Sequence, residues 1–225
     1  MPEPAAIPRA VVQRISFYLR QLEQLGRDGT ETVSSAQLGE AIGATDAQVR
    51  KDLACFGQFG RRGVGYNVTT LARALRSILS VEEEWRVALV GAGNIGRALC
   101  TARLFRERGF HIVALFDNDP RKEGCTWAGL KVLPMRDLRR VCREQRIALG
   151  IIAVPSAGAQ AVAGQLVAAG VRGILNFAPV RVNVPPTVEV RSVDLTVELQ
   201  RLAFLVRSPG SRMEPPPAGR NARRG

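Results

Sequence analysis

Val87 to Leu99 reads VALVGAGNIGRAL. Val87 to Val90 are apolar and suited to a strand, and Gly91, Gly93 and Gly96 follow at G-x-G-x-x-G spacing. Ile95 to Glu107 reads as a helix, so the stretch predicts a strand, a tight turn and a helix. Gly91 permits the turn, Gly93 lets a pyrophosphate approach the backbone, and Gly96 lets the helix pack closely on the strand. The helix start offers free N–H groups and the positive end of a dipole. The next apolar stretch, HIVALFD, ends at Asp117, about twenty residues on, where an acid that bonds ribose hydroxyls belongs. Gly91, Ala92, Gly93, Asn94, Ile95 and Gly96 are therefore candidate phosphate-binding residues, with Asp117 at the adenosine ribose. A carboxylate there repels a 2′-phosphate and favours NAD over NADP, whereas Arg121 close by works against that preference.

Downstream, residues 118–132, NDPRKEGCTWAGLKV, read as a loop rich in turn residues. Asp137 to Gln145 reads as a helix, Leu149 to Val154 as a fully apolar strand, Ala157 to Ala169 as a helix and Gly173 to Phe177 as another strand. Apolar strands alternating with helices predict a parallel sheet covered on both faces, a Rossmann-like α/β domain. Ligands of such sheets sit beyond the carboxyl ends of the strands, which places Val154, Pro155, Asn176, Phe177, Ala178 and Pro179 around the nicotinamide of NAD or NADH. Asp194 to Val206 reads as a last helix, apolar on so much of its circumference that it should be covered on more than one side. A second subunit is the expected cover. From Ser208 the chain is rich in Pro, Gly and Arg and is expected to be a disordered tail.

Upstream, Ile7, Val11, Ile15, Leu19 and Leu22 recur at helical spacing and predict an amphipathic helix from Pro8 to Leu25. Ser34-Ser35-Ala36-Gln37 and Thr45-Asp46-Ala47-Gln48 are two capping boxes. The first opens a helix to Ile42 with Gly43 just past its end, and the second opens a helix with Val49, Leu53 and Phe56 on one face. Two short capped helices across a tight turn are the plan of a helix-turn-helix. Gly57 to Val68, GQFGRRGVGYNV, then predicts a hairpin with Arg61 and Arg62 at its tip, a wing. The candidate DNA-contacting residues are Ser34, Ser35, Ala47, Gln48, Arg50, Lys51, Arg61 and Arg62. Gln suits adenine, Arg guanine and Lys phosphate. Leu71, Leu75 and Ile78 close this domain with a further helix.

The domains expected are 5–80 winged helix, 85–192 nucleotide-binding, 193–207 dimerisation helix and 208–225 tail. Apolar residues make up 46% and charged residues 23% of the 225, an ordinary globular balance. The net charge of +12 suits a polyanionic partner but is spread over both domains and the tail. No apolar run approaches the ~20 residues of a membrane span, and no signal peptide is evident, so a cytoplasmic protein is expected. Cys55, Cys100, Cys125 and Cys142 form no C-x-x-C pair and read as reduced thiols. No metal-binding or catalytic constellation is expected. A dehydrogenase would need an acid/base near the hydride. The single histidine, His111, begins the strand that ends at Asp117, and Lys51, Lys122 and Lys131 are not at strand ends near the nicotinamide. The alternatives are an NAD-dependent oxidoreductase and a CoA-binding protein, each with an accessory helical domain. A free ribose diol at Asp117 argues against the 3′-phosphate of CoA.

The sequence resembles the Rex family of redox-sensing transcriptional repressors from about Ile7 to Val206. The resemblance rests on VSSAQLGEAIG, QVRKDLACFGQFGRRGVGY, VGAGNIGRAL, FDNDPRKEG, ILNFAPVRVNVP and VDLTVELQRL. It implies a homodimer with N-terminal winged-helix domains, Rossmann-like NAD domains and exchanged C-terminal helices. It further implies binding to palindromic operator DNA and release when NADH rises relative to NAD, with no substrate turned over. Arg20 and Asp194 match family positions that meet between subunits in one state of the switch. Where family members often carry a Tyr shortly after the glycine motif, this chain has Thr101-Ala102.

Overall fold

The computed structural model describes residues 7–61, 63–80 and 83–207. Arg62 and the tail from Ser208 lie outside the described residues. The chain divides into two compact units, with the boundary between Glu84 and Trp85.

The first unit begins with α1 (Arg9–Arg27), which buries Val11, Ile15, Tyr18, Leu19 and Leu22 along one face. Ile7, expected on that stripe, precedes the helix and is exposed. The helix runs through Gly26 rather than ending before it, and the N–H groups of Asp28 and Gly29 bond the carbonyls of Gln24 and Gly26 respectively. Then come β1 (Thr32–Val33), α2 (Ser35–Glu40), α3 (Asp46–Ala54), β2 (Gly60–Arg61), β3 (Gly65–Asn67) and α4 (Val68–Ile78). Ser34 and Gln37 form the full capping box of α2, which stops at Glu40, two residues short of the expected end. Thr45 caps α3 by accepting from the N–H of Gln48, but only half of that box forms. The Gln48 side chain bonds Asp52 instead. The hairpin β2–β3 is antiparallel, and β1 pairs with the other edge of β3. Leu38, Val49, Leu53, Leu71 and Leu75 join the α1 face in one core.

The second unit contains β4 (Trp85–Val90), α5 (Asn94–Thr101), α6 (Arg103–Glu107), β5 (Phe110–Asp117), β6 (Thr126–Trp127) and β7 (Leu130–Pro134). It continues with α7 (Leu138–Glu144), β8 (Leu149–Ile152), α8 (Ser156–Ala168), β9 (Gly173–Asn176), β10 (Glu189–Ser192) and α9 (Leu195–Arg207). The sheet order is β10-β9-β8-β4-β5-β7-β6, parallel except for the β6–β7 pair. Successive residues of β4 face opposite sides. Ala88 and Val90 enter the core with Leu138, Val141 and Leu166, and Val87 and Leu89 enter the core beside Leu99 and Cys100. The order reverses at β4, between β5 and β8, so the crevice for a ligand lies at the carboxyl end of β4.

Three elements differ from the sequence expectation. The helix after the glycine turn breaks at Ala102, whose ψ is 99°. The Thr101 hydroxyl donates to the Ala98 carbonyl at 2.9 Å, the acceptor that the N–H of Ala102 would use, and that N–H turns to Leu99. The segment after Asp117 is not all loop. Ala128 and Gly129 both adopt positive φ, 50° and 80°, the mark of a tight turn that joins β6 to β7. An Ala-Gly pair carries little of the usual Asn-Gly signal for that turn. Finally, β10 adds an unexpected edge strand beside β9.

Candidate functional site

The glycine turn has the geometry its spacing predicts. Gly91 sits at φ 107°, and its N–H bonds the Phe116 carbonyl at 2.8 Å. A Cβ on Gly91 would run into the Ala153 backbone, and one on Gly96 into the Gly91 carbonyl. A Cβ on Gly93 would meet nothing within 4 Å. So two glycines are required by the protein's own packing, whereas the space above Gly93 is open. Gly93 precedes α5, which has no side-chain cap, and the backbone N–H groups of its first turn face the same opening.

Asp117 ends β5 with its carboxylate 8% exposed. Oδ2 accepts from the Ala92 N–H at 2.7 Å and from Lys122 Nζ at 2.9 Å, and Oδ1 accepts from the Asp119 N–H at 2.8 Å. Burial works to raise its pKa, but the Asp119 N–H, the Lys122 ammonium and the Ala92 N–H outweigh it and hold the carboxyl below its ordinary value. Arg121, the basic neighbour noted in the sequence, turns away onto Asp119, whose pKa it helps pull down to about 2. Lys122 is therefore the cation at Asp117, a residue the sequence reading missed. The signal was the five-residue step across Asp119-Pro120, where a short 3-10 turn brings the lysine back. Asp117, Asn118, Pro120, Pro134, Met135 and Arg136 are among the residues lining a cavity of about 220 Å³ at this end of the sheet. An acid beside apolar walls suits the ribose and base of adenosine. These residues fit a dinucleotide.

The strand ends line up across the sheet. The N–H of Ala153 bonds the Val90 carbonyl, and the N–H of Phe177 bonds the Ile152 carbonyl. Val154, Pro155, Phe177, Ala178 and Pro179 thus lie in the two loops next to the glycine turn, as expected. Asn176 and Ala178 are both buried, and the Asn176 side chain is engaged within its own loop. Nδ2 donates to the carbonyls of Ala178 and Val180, and Oδ1 accepts from the Ala178 N–H. These bonds shape the loop. His111 pairs with Arg86 near the start of β4 and β5, at the opposite end of the strands from Asp117. Cys142 is buried in the core and its thiol is pushed up to about 11, and Cys100 is also raised by burial. Among the described residues no cluster of three His, Cys, Asp or Glu could hold a metal ion.

In the first unit, Asp52 lies 1% exposed between α3 and α1. It accepts from Arg14 Nη2 at 2.9 Å, from Arg14 Nε, from Tyr18 OH at 3.0 Å and from Gln48 Nε2 at 2.6 Å. Burial would raise its pKa, and these bonds more than offset that. Arg14 thus neutralises Asp52 inside the unit. Ala47, Arg50, Lys51 and Arg61 are exposed, while Gln48 is half-buried against Asp52. Arg50 Nη1 reaches Asp46 at 2.7 Å and Ser35 Oγ at 3.1 Å, which brings Ser35 and Arg50 together. Ser34 is occupied as the cap of α2. Arg20 is exposed on α1, and Asp194 Oδ1 accepts from the N–H groups of Thr196 and Val197, capping α9. Those two residues belong to separate units.

A winged helix-turn-helix with a basic face, followed in one chain by a nucleotide-type parallel sheet, defines the class of nucleotide-responsive DNA-binding regulators. A family model described as "Putative DNA-binding protein N-terminus" matches residues 6–54, and one described as "CoA binding domain" matches residues 82–180. The redox-sensing transcriptional repressor Rex of Carboxydothermus hydrogenoformans is 56% identical over 201 residues, 89% of this chain and 97% of that protein. Among solved structures, RSP in complex with β-NAD+ and operator DNA has a TM-score of 0.86 at 33% identity, covering 91% of this chain and 94% of that one. RSP in complex with β-NADH has a TM-score of 0.84 at 31% identity, covering 91% and 96%. This chain belongs to the Rex family of redox-sensing transcriptional repressors. Among the described residues no helix is long and apolar enough to cross a membrane.

Proposed function

We infer that this chain is a cytoplasmic repressor that binds palindromic operator DNA as a homodimer and lets go when NADH rises relative to NAD. The observation that carries the reading is the presence in one chain of the open glycine turn with Asp117 and of the basic helix α3 with its wing. The functional regions are residues 5–80 for DNA, 85–192 for NAD(H) and 193–207 for dimerisation, with 208–225 a tail. Ser35, Ala47, Gln48, Arg50, Lys51, Arg61 and Arg62 contact DNA, with Ser34 holding the start of α2. Gly91 to Gly96 and Asp117 hold the pyrophosphate and ribose, and Val154, Pro155, Phe177, Ala178 and Pro179 flank the nicotinamide, with Asn176 fixing their loop.

The nicotinamide ring is a cation when oxidised and neutral when reduced. The loop that meets it is apolar at Phe177 and Ala178, and Asn176 has already engaged its polar groups, so the neutral ring is favoured. NADH shifts the dimer by binding its DNA-free arrangement better than its DNA-bound one. α9 is the transmitter. None of its residues is buried, and Leu195, Leu199, Leu202 and Phe204 expose an apolar surface that a second subunit covers. Arg20 and Asp194 of opposite subunits pair in only one arrangement. Against a dehydrogenase, the only histidine sits at the wrong end of the sheet. Against CoA, Asp117 would repel a 3′-phosphate.

The test is selection from a random duplex pool by the full chain with NAD, with NADH and with neither. Enrichment of a palindrome that NADH alone abolishes is expected. A chain that enriches no sequence under any of the three conditions refutes the reading.

A further inference from the structure

Asp117 has too few open acceptor positions to hold a ribose diol alone. An ionised carboxylate has about four lone-pair positions. On Asp117, Oδ2 already accepts two hydrogen bonds, from Ala92 N–H and Lys122 Nζ, and Oδ1 accepts one, from Asp119 N–H. One position on Oδ1 is left, enough for one ribose hydroxyl. The other hydroxyl needs a partner, and the cation bonded to the same carboxylate is the Lys122 ammonium. Its three N–H donors exceed the single bond to Asp117, and its side chain is 34% exposed. The other cations near the cavity are engaged: Arg121 is bound to Asp119, and Arg136 to Glu123.

We propose that Lys122 is a second ribose-binding residue, donating to the hydroxyl that Asp117 does not take, and that this pair sets the choice between NADH and NADPH. The proposal rests on the NAD(H) reading above and adds a determinant to it. A carboxylate alone rejects a 2′-phosphate by charge repulsion. A carboxylate with an ammonium 2.9 Å away rejects it less, because the cation can turn to the phosphate. Lys122 thus moderates the preference that Asp117 imposes, a role for which the more conspicuous Arg121 is wrongly placed.

The experiment is calorimetric titration of the full chain with NADH and with NADPH, for wild type, Lys122→Met, Lys122→Arg and Arg136→Gln. Comparing two nucleotides on one protein cancels any general effect of the substitution on folding. Lys122→Met is expected to weaken NADH a few-fold and NADPH far more, so that the NADH-over-NADPH ratio widens about tenfold. Lys122→Arg, which keeps the cation, should hold the ratio within about threefold of wild type. An unchanged or narrowed ratio in Lys122→Met overturns the proposal, as does a ratio that moves only in Arg136→Gln. If wild type binds neither nucleotide, the cofactor reading itself fails, and the proposal with it.

Discussion

The two candidate sites are built from different materials. The nucleotide turn is made of backbone: glycines, N–H groups and the empty space over Gly93. The DNA-facing surface is made of side chains already bound to each other, Arg50 to Asp46 and Ser35, Gln48 to Asp52. A backbone site is rigid before its ligand arrives. A side-chain site must exchange internal partners for external ones, and only the residues whose partners are exposed and weak can do so at little cost. Arg50 is of that kind. Gln48, tied to a buried carboxylate by Nε2, keeps that bond and has its Oε1 to offer a duplex.

The largest effect should come from cutting the anchor beneath the DNA-facing helix. Asp52→Ala leaves Arg14 and Tyr18 without their shared acceptor and should destabilise the first unit by about 2–4 kcal/mol, read from urea unfolding. Because its folded pKa is lowered, the stability Asp52 contributes is complete above the unfolded carboxyl value of about 3.9. It is lost as pH falls through the lower folded value. Asp52→Ala should lack that acid-dependent component. An Asp52→Ala protein as stable as wild type would mean that Asp52 is not an anchor.

Next come two glycines in one turn. Gly96→Ala places a methyl against the Gly91 carbonyl and should cost about 1–3 kcal/mol of stability in the second unit. Gly93→Ala meets open space, so thermal unfolding should be unchanged while NADH affinity falls at least about tenfold. Equal losses of stability in both variants would erase the distinction between packing and ligand glycines.

Arg50→Ala should weaken operator binding by about 1–3 kcal/mol. Its stability should change little, since an exposed i,i+4 pair contributes only ~0–1 kcal/mol. Lys51→Ala should weaken binding to all duplexes alike. The two are separated by measuring affinity for the selected palindrome and for a scrambled duplex. Asp194→Ala uncaps α9 at a cost of about 1 kcal/mol. NADH binding should persist while the factor by which NADH weakens operator affinity changes. An identical factor in wild type and variant would remove Asp194 from the switch.

The same difference in material decides what could be read from the sequence. Glycine roles follow from spacing alone, so the turn, Asp117 and the parallel sheet were legible. Caps are local too, and Ser34-Gln37 was read correctly. The role of Asp52 is not legible locally, because its partners Arg14 and Tyr18 lie more than thirty positions away in sequence. The amide of Asn176 bonds Ala178 and Val180, two and four positions on, an engagement that depends on the fold of the loop and that residue type alone does not announce. The break at Ala102 arises from one hydroxyl competing for one carbonyl, too fine a balance for helical periodicity to register.

α9 buries none of its residues within its own chain. A helix with no residue buried in its own chain can tolerate substitutions that leave the folded subunit untouched, and their effect is felt only in the assembly. In the proposed homodimer the converse holds for α3. A subunit with a ruined DNA-facing helix but an intact α9 still enters mixed dimers and spoils half of each palindrome. At equal expression, random pairing leaves about one dimer in four fully competent. Alleles damaged in α3 should therefore be dominant over wild type, and alleles damaged in α9 recessive.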